Sequence, residues 1–347
     1  MSITVSAYKD LPDHAGVMEQ VQHMLRDVAD HDGVAALSEA FVRGLSESSR
    51  SHAHVVATDS DGEVVGVLAI DRERVVELAV SPGRRHRGIA TSLFEGLATG
   101  LGITGAVDVW AHGDGAEAQR FVDSLDARRT RELLKMAVEC APGSARAREF
   151  AAEAQEAHQK AQEEGLEVLT YSEAVDKFGK VATDSEWLRV NNEAFAWHPE
   201  QGGQSLEQLE SARDTEWFNP DGVWMLWQFD ENASSERVGV ECEGGEYRCV
   251  GFHWTKVPVE ERRKDEGERA GEVYVVCLAD EARGRKLGGP ITLIGMGSLL
   301  EQGAGVIELY VEGDNAPAVA TYQNLGFSVV HTDVVYRGIV EVPTARG

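Results

Sequence analysis

The stretch Asp280–Pro290, DEARGRKLGGP, follows the compact apolar run EVYVVCLA and precedes the apolar segment ITLIGMGSLL. It predicts a β-strand, then a basic glycine-containing turn, then a helix. Such a turn gathers free backbone N–H groups and the positive end of a helix dipole, which favours an anion such as phosphate. A related stretch, SPGRRHRGIAT, occupies Ser81–Thr91 between a strand-like and a helix-like segment. Two copies in matching surroundings indicate a repeated anion-binding turn.

The turns belong to a longer internal repeat. Arg85 lies 198 residues before Arg283, and the downstream segments WAHGDGA and YVEGDNA are 200 residues apart. A nearly constant offset over dozens of residues indicates duplication of a whole domain. We therefore predict domains at 1–145 and 165–347. The Ala/Glu/Gln-rich segment 146–164 between them favours a helix with a poor apolar stripe, which predicts an exposed helical linker.

Composition narrows the classes of partner. The 347 residues include 59 acidic and 33 basic ones, for a net charge of −26. That balance disfavours nucleic acid, and it suits either a cationic substrate or a solubility surface. The longest apolar runs fall far short of a membrane span, and the first ten residues lack a secretory signal. We expect a cytoplasmic protein with no membrane partner, and a monomer, although no sequence feature fixes the oligomeric state.

Other phosphate motifs and metal sites find little support. The turn spacing is not G-x-G-x-x-G, which argues against a dinucleotide site, and no G-K-[ST] follows, which argues against a P-loop. The cysteines (Cys140, Cys242, Cys249 and Cys277) form no metal-ligand spacing, so we expect no metal.

The pattern R-x-x-G-x-[GA] after a strand resembles the pyrophosphate-binding motif of the GNAT superfamily of acyl-CoA N-acyltransferases. The first copy is RHRGIA; the second, RGRKLG, carries Lys286 where the first glycine is usual. Downstream, DNAPAVATYQNLGF resembles the GNAT segment that flanks the CoA arm. The resemblance implies an α/β fold of two tandem GNAT domains, each with a mixed sheet splayed open beside its turn, and acetyl-CoA as co-substrate.

The resemblance also implies which residues contact acetyl-CoA. In the first domain they are Leu78, Ala79, Val80, Arg85, His86, Arg87, Gly88, Ile89, Ala90 and Thr91. In the second they are Val276, Cys277, Leu278, Arg283, Gly284, Arg285, Lys286, Leu287, Gly288, Gly289, Asn315, Ala316, Pro317, Ala318, Val319 and Ala320. The apolar neighbours of Cys277 favour a packed thiol, and hence direct acetyl transfer without an acyl-enzyme.

A narrower resemblance covers nearly the whole chain. Segments such as WLRVNNEAFAWHPEQGG, WFNPDGVWMLW and GFHWTKVP resemble the mycothiol synthase family of actinobacteria. That family acetylates the cysteinyl amine of Cys-GlcN-Ins to give mycothiol. Two alternatives stay open: a tandem GNAT enzyme acting on another amine, such as an aminoglycoside or a peptide, and a non-catalytic acyl-CoA sensor.

The family resemblance assigns the chemistry to the second domain. Glu272 is the expected base toward the substrate amine, and Tyr322 the expected acid toward the departing thiolate. The expected substrate-binding residues are Glu39, Glu200, Lys256, Glu272 and Tyr310. In the first copy Gly115 replaces Asn315, and Val122, with Phe121 beside it, aligns with Tyr322. The first domain is therefore expected to bind acetyl-CoA without catalysing transfer.

Overall fold

The structure, a computed structural model, describes residues 3–196, 202–231, 239–259 and 269–342. It divides into two compact units that do not follow the chain in simple order. The first contains residues up to Leu134 together with Glu312–Asp314 and the segment from His331 on. The second contains Lys135–Val311 and Asn315–Val330. The assignment of 1–145, 146–164 and 165–347 as domain, linker and domain stays a prediction.

The first unit is a mixed sheet between helices. Its strands are β1 (Thr4–Tyr8), β2 (Ala53–Thr58), β3 (Val64–Ile70), β4 (Val75–Val80), β5 (Gly105–Ala111), the first part of β6 (Arg128–Glu139) and most of β13 (Ser328–Val340). Its helices are α1 (Ala15–Asp32), α2 (Glu39–Gly44), α3 (Ile89–Leu101) and α4 (Ala116–Ser124). The strand order is β1-β2-β3-β4-β5-β13-β6, with β4 and β5 parallel and β13 antiparallel to β5.

Both faces of this sheet are covered. Leu93 and Leu97 of α3 pack on one face with Val55, whereas Val21 and Met24 of α1 pack on the other. Because β3 lies between the two layers, all of its residues are buried. That arrangement explains why its sequence, VVGVLAI, is a continuous apolar run without alternation.

The second unit repeats the plan. Its strands are the end of β6, β7 (Leu166–Thr170), β8 (Val223–Asp230), β9 (Val240–Cys242), β10 (Gly245–Lys256), β11 (Arg269–Leu278) and β12 (Ala304–Glu312). Its helices are α5 (Ala145–Glu163), α6 (Tyr171–Phe178), α7 (Lys180–Ala194), α8 (Leu206–Arg213), α9 (Gly288–Glu301) and α10 (Ala316–Asn324). The strand order is β6-β12-β11-β10-β8-β7, with β11 and β12 parallel.

The segment expected to be an exposed linker is a helix, α5, but the expected exposure is wrong. Phe150, Ala154, Ala157 and Ala161 are buried, and the last two share a core cluster with Ile291 of α9. Alanine adds little to an apolar stripe, yet its small side chain permits close helix packing. The helix is therefore part of the second unit's core.

Cys242 lies at the end of β9, which pairs with β10 as a hairpin, and Cys249 lies fully buried in β10. Among the residues that the structure describes, no helix is long and apolar enough to cross a membrane.

Candidate active site

The second unit has an open edge beside its basic turn. β11 and β12 pair only as far as Val273 and Leu309, although β11 continues to Leu278. Successive residues of a strand direct their N–H groups to alternate edges, so part of the Val276–Leu278 backbone faces this gap. Backbone amides on such an open edge can polarise a thioester carbonyl. The first unit has the same splay, since the β4–β5 ladder consists of Val75 and Val76 with Asp108 and Val109.

The two turns have the same backbone shape with glycine at different places. In the first turn His86 has a φ of 59° and Gly88 a φ of 76°. In the second, Gly284 has a φ of 79° and Lys286 a φ of 61°. Lys286 thus adopts the left-handed conformation of the glycine that it replaces. The departure from the motif changes the residue and leaves the conformation intact.

Each turn leads into a helix whose N-terminus has no side-chain cap. The N-cap of α3 is Gly88 and that of α9 is Leu287. The first N–H groups of a helix have no partner inside the helix, so both helices present amides and a positive dipole end to an anion. This arrangement fits the pyrophosphate of acetyl-CoA.

The arginines of the second turn differ in their freedom to reach a ligand. Arg283 is exposed and forms a 3.0 Å ion pair with Asp280, which leaves its guanidinium largely hydrated. Arg285 Nη1 donates a 2.7 Å hydrogen bond to Gln228 Oε1 on β8. Arg283 can therefore exchange a weak surface pair for a phosphate, whereas Arg285 is fixed against the sheet.

A cavity of about 440 Å³ joins the open strand edge to the start of α9 and to α10. Its lining includes Cys277, Leu278, Arg283, Gly288, Asn315 and Tyr322. Asn315 caps α10, because its Oδ1 accepts a 3.3 Å hydrogen bond from the N–H of Ala318. The structure thus brings together residues from each of the segments expected to bind acetyl-CoA in this unit.

Tyr322 lies half-buried on α10 at the wall of the cavity. Burial raises the pKa of Tyr322 to about 12, and the neighbouring Cys277 contributes a smaller part of the rise. The phenol therefore keeps its proton at neutral pH and can act as a donor. Burial also raises the pKa of the Cys277 thiol well above its ordinary value, which makes the thiolate scarce.

Glu272, the predicted base, and Lys256, a predicted substrate-binding residue, lie next to each other. They are register partners on β11 and β10, and Lys256 Nζ lies 3.4 Å from Glu272 Oε2. Burial raises the pKa of Glu272, and the ammonium of Lys256 offsets part of that rise. Lys256 Nζ also lies 5.2 Å from the ring centroids of both Trp217 and Tyr274. The carboxylate is thus partly desolvated and keeps a raised affinity for a proton.

The remaining predicted substrate residues have different surroundings. Tyr310 is 44% exposed on β12, and Lys135 Nζ lies 5.8 Å from its ring centroid. Glu39 lies in the first unit on α2, where it is exposed and forms a 2.6 Å ion pair with Arg43. Glu200 lies outside the described residues.

The first unit has its own cavity, of about 490 Å³, lined by residues that include Arg85, Gly88, Thr91, His112 and Phe121. Val122, aligned with Tyr322, is buried, and Gly115 begins α4 without a side-chain cap. Neither position can supply a proton. Both features are compatible with the prediction that the first unit has an anion-binding turn but no proton donor at these positions.

Sequence reasoning missed two charged features of the first cavity. Asp32 accepts two hydrogen bonds from Arg85, at 2.8 and 2.6 Å, which lower the pKa of Asp32. His112 lies 3.2 Å from Glu77 and 3.6 Å from Asp333. Although burial opposes its charge, contacts with these carboxylates raise the pKa of His112 to about 9. These partners lie far apart in the sequence, so no local sequence motif could have predicted the contacts.

Within the described ranges, no group of three or more His, Cys, Asp or Glu side chains could hold a metal ion.

Solved structures share this fold. A tandem GNAT protein from the clavulanic acid biosynthesis pathway superposes with a TM-score of 0.60 at 15% identity, covering 99% of this chain and 100% of that chain. A GCN5-related glucosamine N-acetyltransferase region of a fungal GH3 beta-N-acetylglucosaminidase gives a TM-score of 0.62 at 15% identity, covering 97% of this chain and 38% of that one. At such identities the similarity establishes the fold alone, two tandem GNAT domains, as expected from the turns.

Curated relatives are much closer in sequence. A mycothiol acetyltransferase of Corynebacterium jeikeium (strain K411) is 60% identical over 345 residues, covering 97% of this chain and 99% of the relative. A mycothiol acetyltransferase of Corynebacterium urealyticum is 52% identical over 349 residues, with the same coverage. No family model matches the chain. Identity at this level over almost the full length of both proteins means that the chain belongs to the mycothiol acetyltransferase family.

Proposed function

We propose that this protein transfers the acetyl group of acetyl-CoA to the cysteinyl amine of Cys-GlcN-Ins, producing mycothiol. The observation that carries the proposal is the arrangement of the second unit. A carboxylate of raised proton affinity stands on the strand that leads to an open backbone edge, and a protonated tyrosine lines the adjoining cavity. Family membership supports the choice of substrate.

Acetyl-CoA supplies the activated acyl group as a thioester, and the residues of the second unit supply the proton transfers. Glu272 accepts a proton from the substrate's ammonium, which leaves a neutral amine. The amine nitrogen attacks the thioester carbonyl, and the open amides of Val276–Leu278 stabilise the negative charge that develops on its oxygen. As the C–N bond forms and the C–S bond breaks, Tyr322 donates its proton to the departing sulfur. The acetylated nitrogen loses its second proton to solvent, from which Tyr322 is reprotonated.

The pyrophosphate would be held by the second turn and the start of α9, with Arg283 as its mobile cation. Cys277 is given no covalent role, because burial raises the pKa of its thiol and so makes the nucleophilic thiolate scarce. Transfer is thus direct from thioester to amine.

The function is tested by incubating the purified protein with acetyl-CoA and one acceptor at a time: Cys-GlcN-Ins, glucosamine or a peptide. Mass spectrometry of the acetylated acceptor should show rapid product formation with Cys-GlcN-Ins alone. Preference for glucosamine or a peptide would contradict the substrate assignment. Acetyl-CoA binding with no acetylated acceptor would favour a sensor.

The base is tested by Glu272→Gln. Turnover should fall about 10²- to 10⁴-fold, because the proton acceptor is lost, while acetyl-CoA binding stays unchanged. Glu156→Gln on the exposed face of α5 makes the same charge change and serves as the control. Near-normal turnover of the Glu272 variant at neutral pH would show that another group accepts the proton.

A further inference from the structure

Four charged residues form a row across neighbouring strands of the second unit: Lys256 on β10, Glu272 on β11, Glu308 on β12 and Lys135 on β6. Glu272 is the register partner of Lys256 on one side and of Glu308 on the other. Lys256 lies 3.4 Å from Glu272, and Lys135 Nζ lies 2.8 Å from Glu308 Oε2. The order of charges across the sheet is therefore positive, negative, negative, positive.

The two carboxylates project from the same face of the sheet. Register partners on adjacent strands direct their side chains to one side, and neighbouring strands are about 4.8 Å apart. Like charges placed directly opposite each other destabilise a sheet. Each lysine pairs with the carboxylate on its own side, so the space between Glu272 and Glu308 retains a negative potential. A cation placed there would relieve the repulsion.

The surroundings of the row also suit a cation. Tyr274 and Tyr310 lie two residues beyond Glu272 and Glu308, hence on the same face, and are 38% and 44% exposed. The rings of these tyrosines already have Lys256 and Lys135 nearby, at 5.2 and 5.8 Å. Aromatic faces attract ammonium groups, so the opening toward solvent favours the approach of a protonated amine.

We propose that Glu308 is a substrate-binding residue. Together with Glu272 it forms a binding site of two carboxylates for the ammonium group of the amine substrate. This inference rests on the proposed function of the same site and adds a residue outside the set predicted from sequence. Before reaction, the ammonium donates hydrogen bonds to both carboxylates. Glu272 then takes one proton, while Glu308, paired with Lys135, keeps a hydrogen bond to the remaining N–H as the nitrogen attacks.

The charges of the row also affect the pKa of Glu272, the proposed base. Burial raises the pKa of Glu272, and the charge of Glu308 adds to the rise, whereas Lys256 and Lys135 act in the opposite direction. Removing the Glu308 charge should therefore lower the pKa of Glu272, and removing the Lys135 charge should raise it. Opposite shifts from two neighbouring substitutions are an outcome that simple structural damage would not produce.

The test compares wild type, Glu308→Gln and Lys135→Met with two ligands. One is the amine substrate, and the other is its analogue in which hydrogen replaces the cysteine amine, measured as a competitive inhibitor. Glu308→Gln should raise KM for the amine about 10- to 100-fold, the loss expected for a hydrogen bond to a charged group. The Ki of the deaminated analogue and the KM for acetyl-CoA should not change. The acid limb of kcat/KM should move to lower pH in Glu308→Gln and to higher pH in Lys135→Met.

A second readout needs no substrate: the ¹³C resonance of the Glu272 carboxyl, assigned with Glu272→Gln, should titrate at lower pH in Glu308→Gln. Unchanged amine KM or an unchanged carboxyl titration would overturn the inference, as would equal losses of affinity for both ligands. The measurements on the wild-type protein test the proposed function separately, because they show which amine it prefers. If wild type prefers another amine, that assignment fails, and the same comparison is made with that amine and its deaminated form.

Discussion

At the scale of single residues, conformation matters more in these turns than the identity of the residue. His86 and Gly88 in one turn and Gly284 and Lys286 in the other all have positive φ, so glycine and a larger residue have exchanged places. In the sequence motif R-x-x-G-x-[GA], Lys286 stands where glycine is expected. The backbone shows that the anion-binding shape survives, with a strained lysine in place of a relaxed glycine.

Lys286→Gly should stabilise the second unit. A non-glycine residue in the left-handed region costs about 1–2 kcal/mol, and glycine returns about 0.5–1 kcal/mol through its greater freedom in the unfolded chain. The expected gain is about 0.5–1 kcal/mol, measured by urea unfolding at 25 °C. Lys286→Ala removes the same charge but keeps the strain, so it should bring no gain. If acetyl-CoA binds more weakly to both variants alike, the ammonium contributes to phosphate binding; a less stable glycine variant would contradict the strain argument.

Residue-level prediction depended on recognisable sequence segments. Glu272 and Lys256 were expected at the site and lie 3.4 Å apart, and Tyr310 lies on the neighbouring strand. Their assigned roles stay predictions. Glu308 and Asp32 were not foreseen, because their importance arises from strand register and from the end of a distant helix. Such pairings depend on tertiary structure and leave no trace in local spacing.

At the scale of elements, the helix α5 shows how burial can escape an amphipathic pattern. Its buried face consists of Phe150 and alanines, which gives a weak apolar stripe in the sequence. The helix packs on α9 because small residues permit close approach. A Cβ built on Gly297 of α9 would lie only 2.8 Å from the Cβ of Ala154.

Gly297→Ala should therefore destabilise the second unit by about 1–3 kcal/mol, the usual cost of overpacking, despite alanine's better helix propensity. Adding Ala154→Gly should recover part of the loss, and a double-mutant cycle in urea unfolding would measure the coupling. Gly289→Ala in the same helix meets no atom within 4 Å and serves as the control. Additive effects of the two substitutions would mean that the helices do not meet at this point.

At the scale of the whole molecule, the two units repeat one strand order and one splay. The arginines of their turns, however, have different partners. Arg85 is held by two hydrogen bonds to Asp32, whereas Arg283 is exposed, with an ion pair to Asp280 and a long 3.4 Å hydrogen bond to the carbonyl oxygen of Glu193. The repeat and the splay were predictable, because the offset between the turns is regular and the strand–turn–helix order is local. The pairing of Arg85 with Asp32 was not predictable, since Asp32 lies more than 50 residues before Arg85 in the sequence.

Titration calorimetry on the intact protein should show two acetyl-CoA sites. Charge reversal at Arg85 and Arg87 should remove the first, and reversal at Arg283 and Arg285 should remove the second together with all activity. Because the carboxylate of Asp32 competes for Arg85, Asp32→Asn should strengthen binding at the first site. A single site, lost with the Arg283 and Arg285 pair, would mean that the first unit is a structural remnant.

The position of strand β13 in the sequence affects when the sheet of the first unit can be completed during translation. Val334–Val340 form the ladder beside β5, so the sheet of this unit is completed by residues that come after nearly the whole sequence of the second. A ribosome delivers the N-terminal part of a chain first, and such parts generally fold first. Here β1 to β5 leave the exit tunnel early, but the native ladder beside β5 can form only after β13 has been translated. The unit that is made first is therefore the one that is finished last.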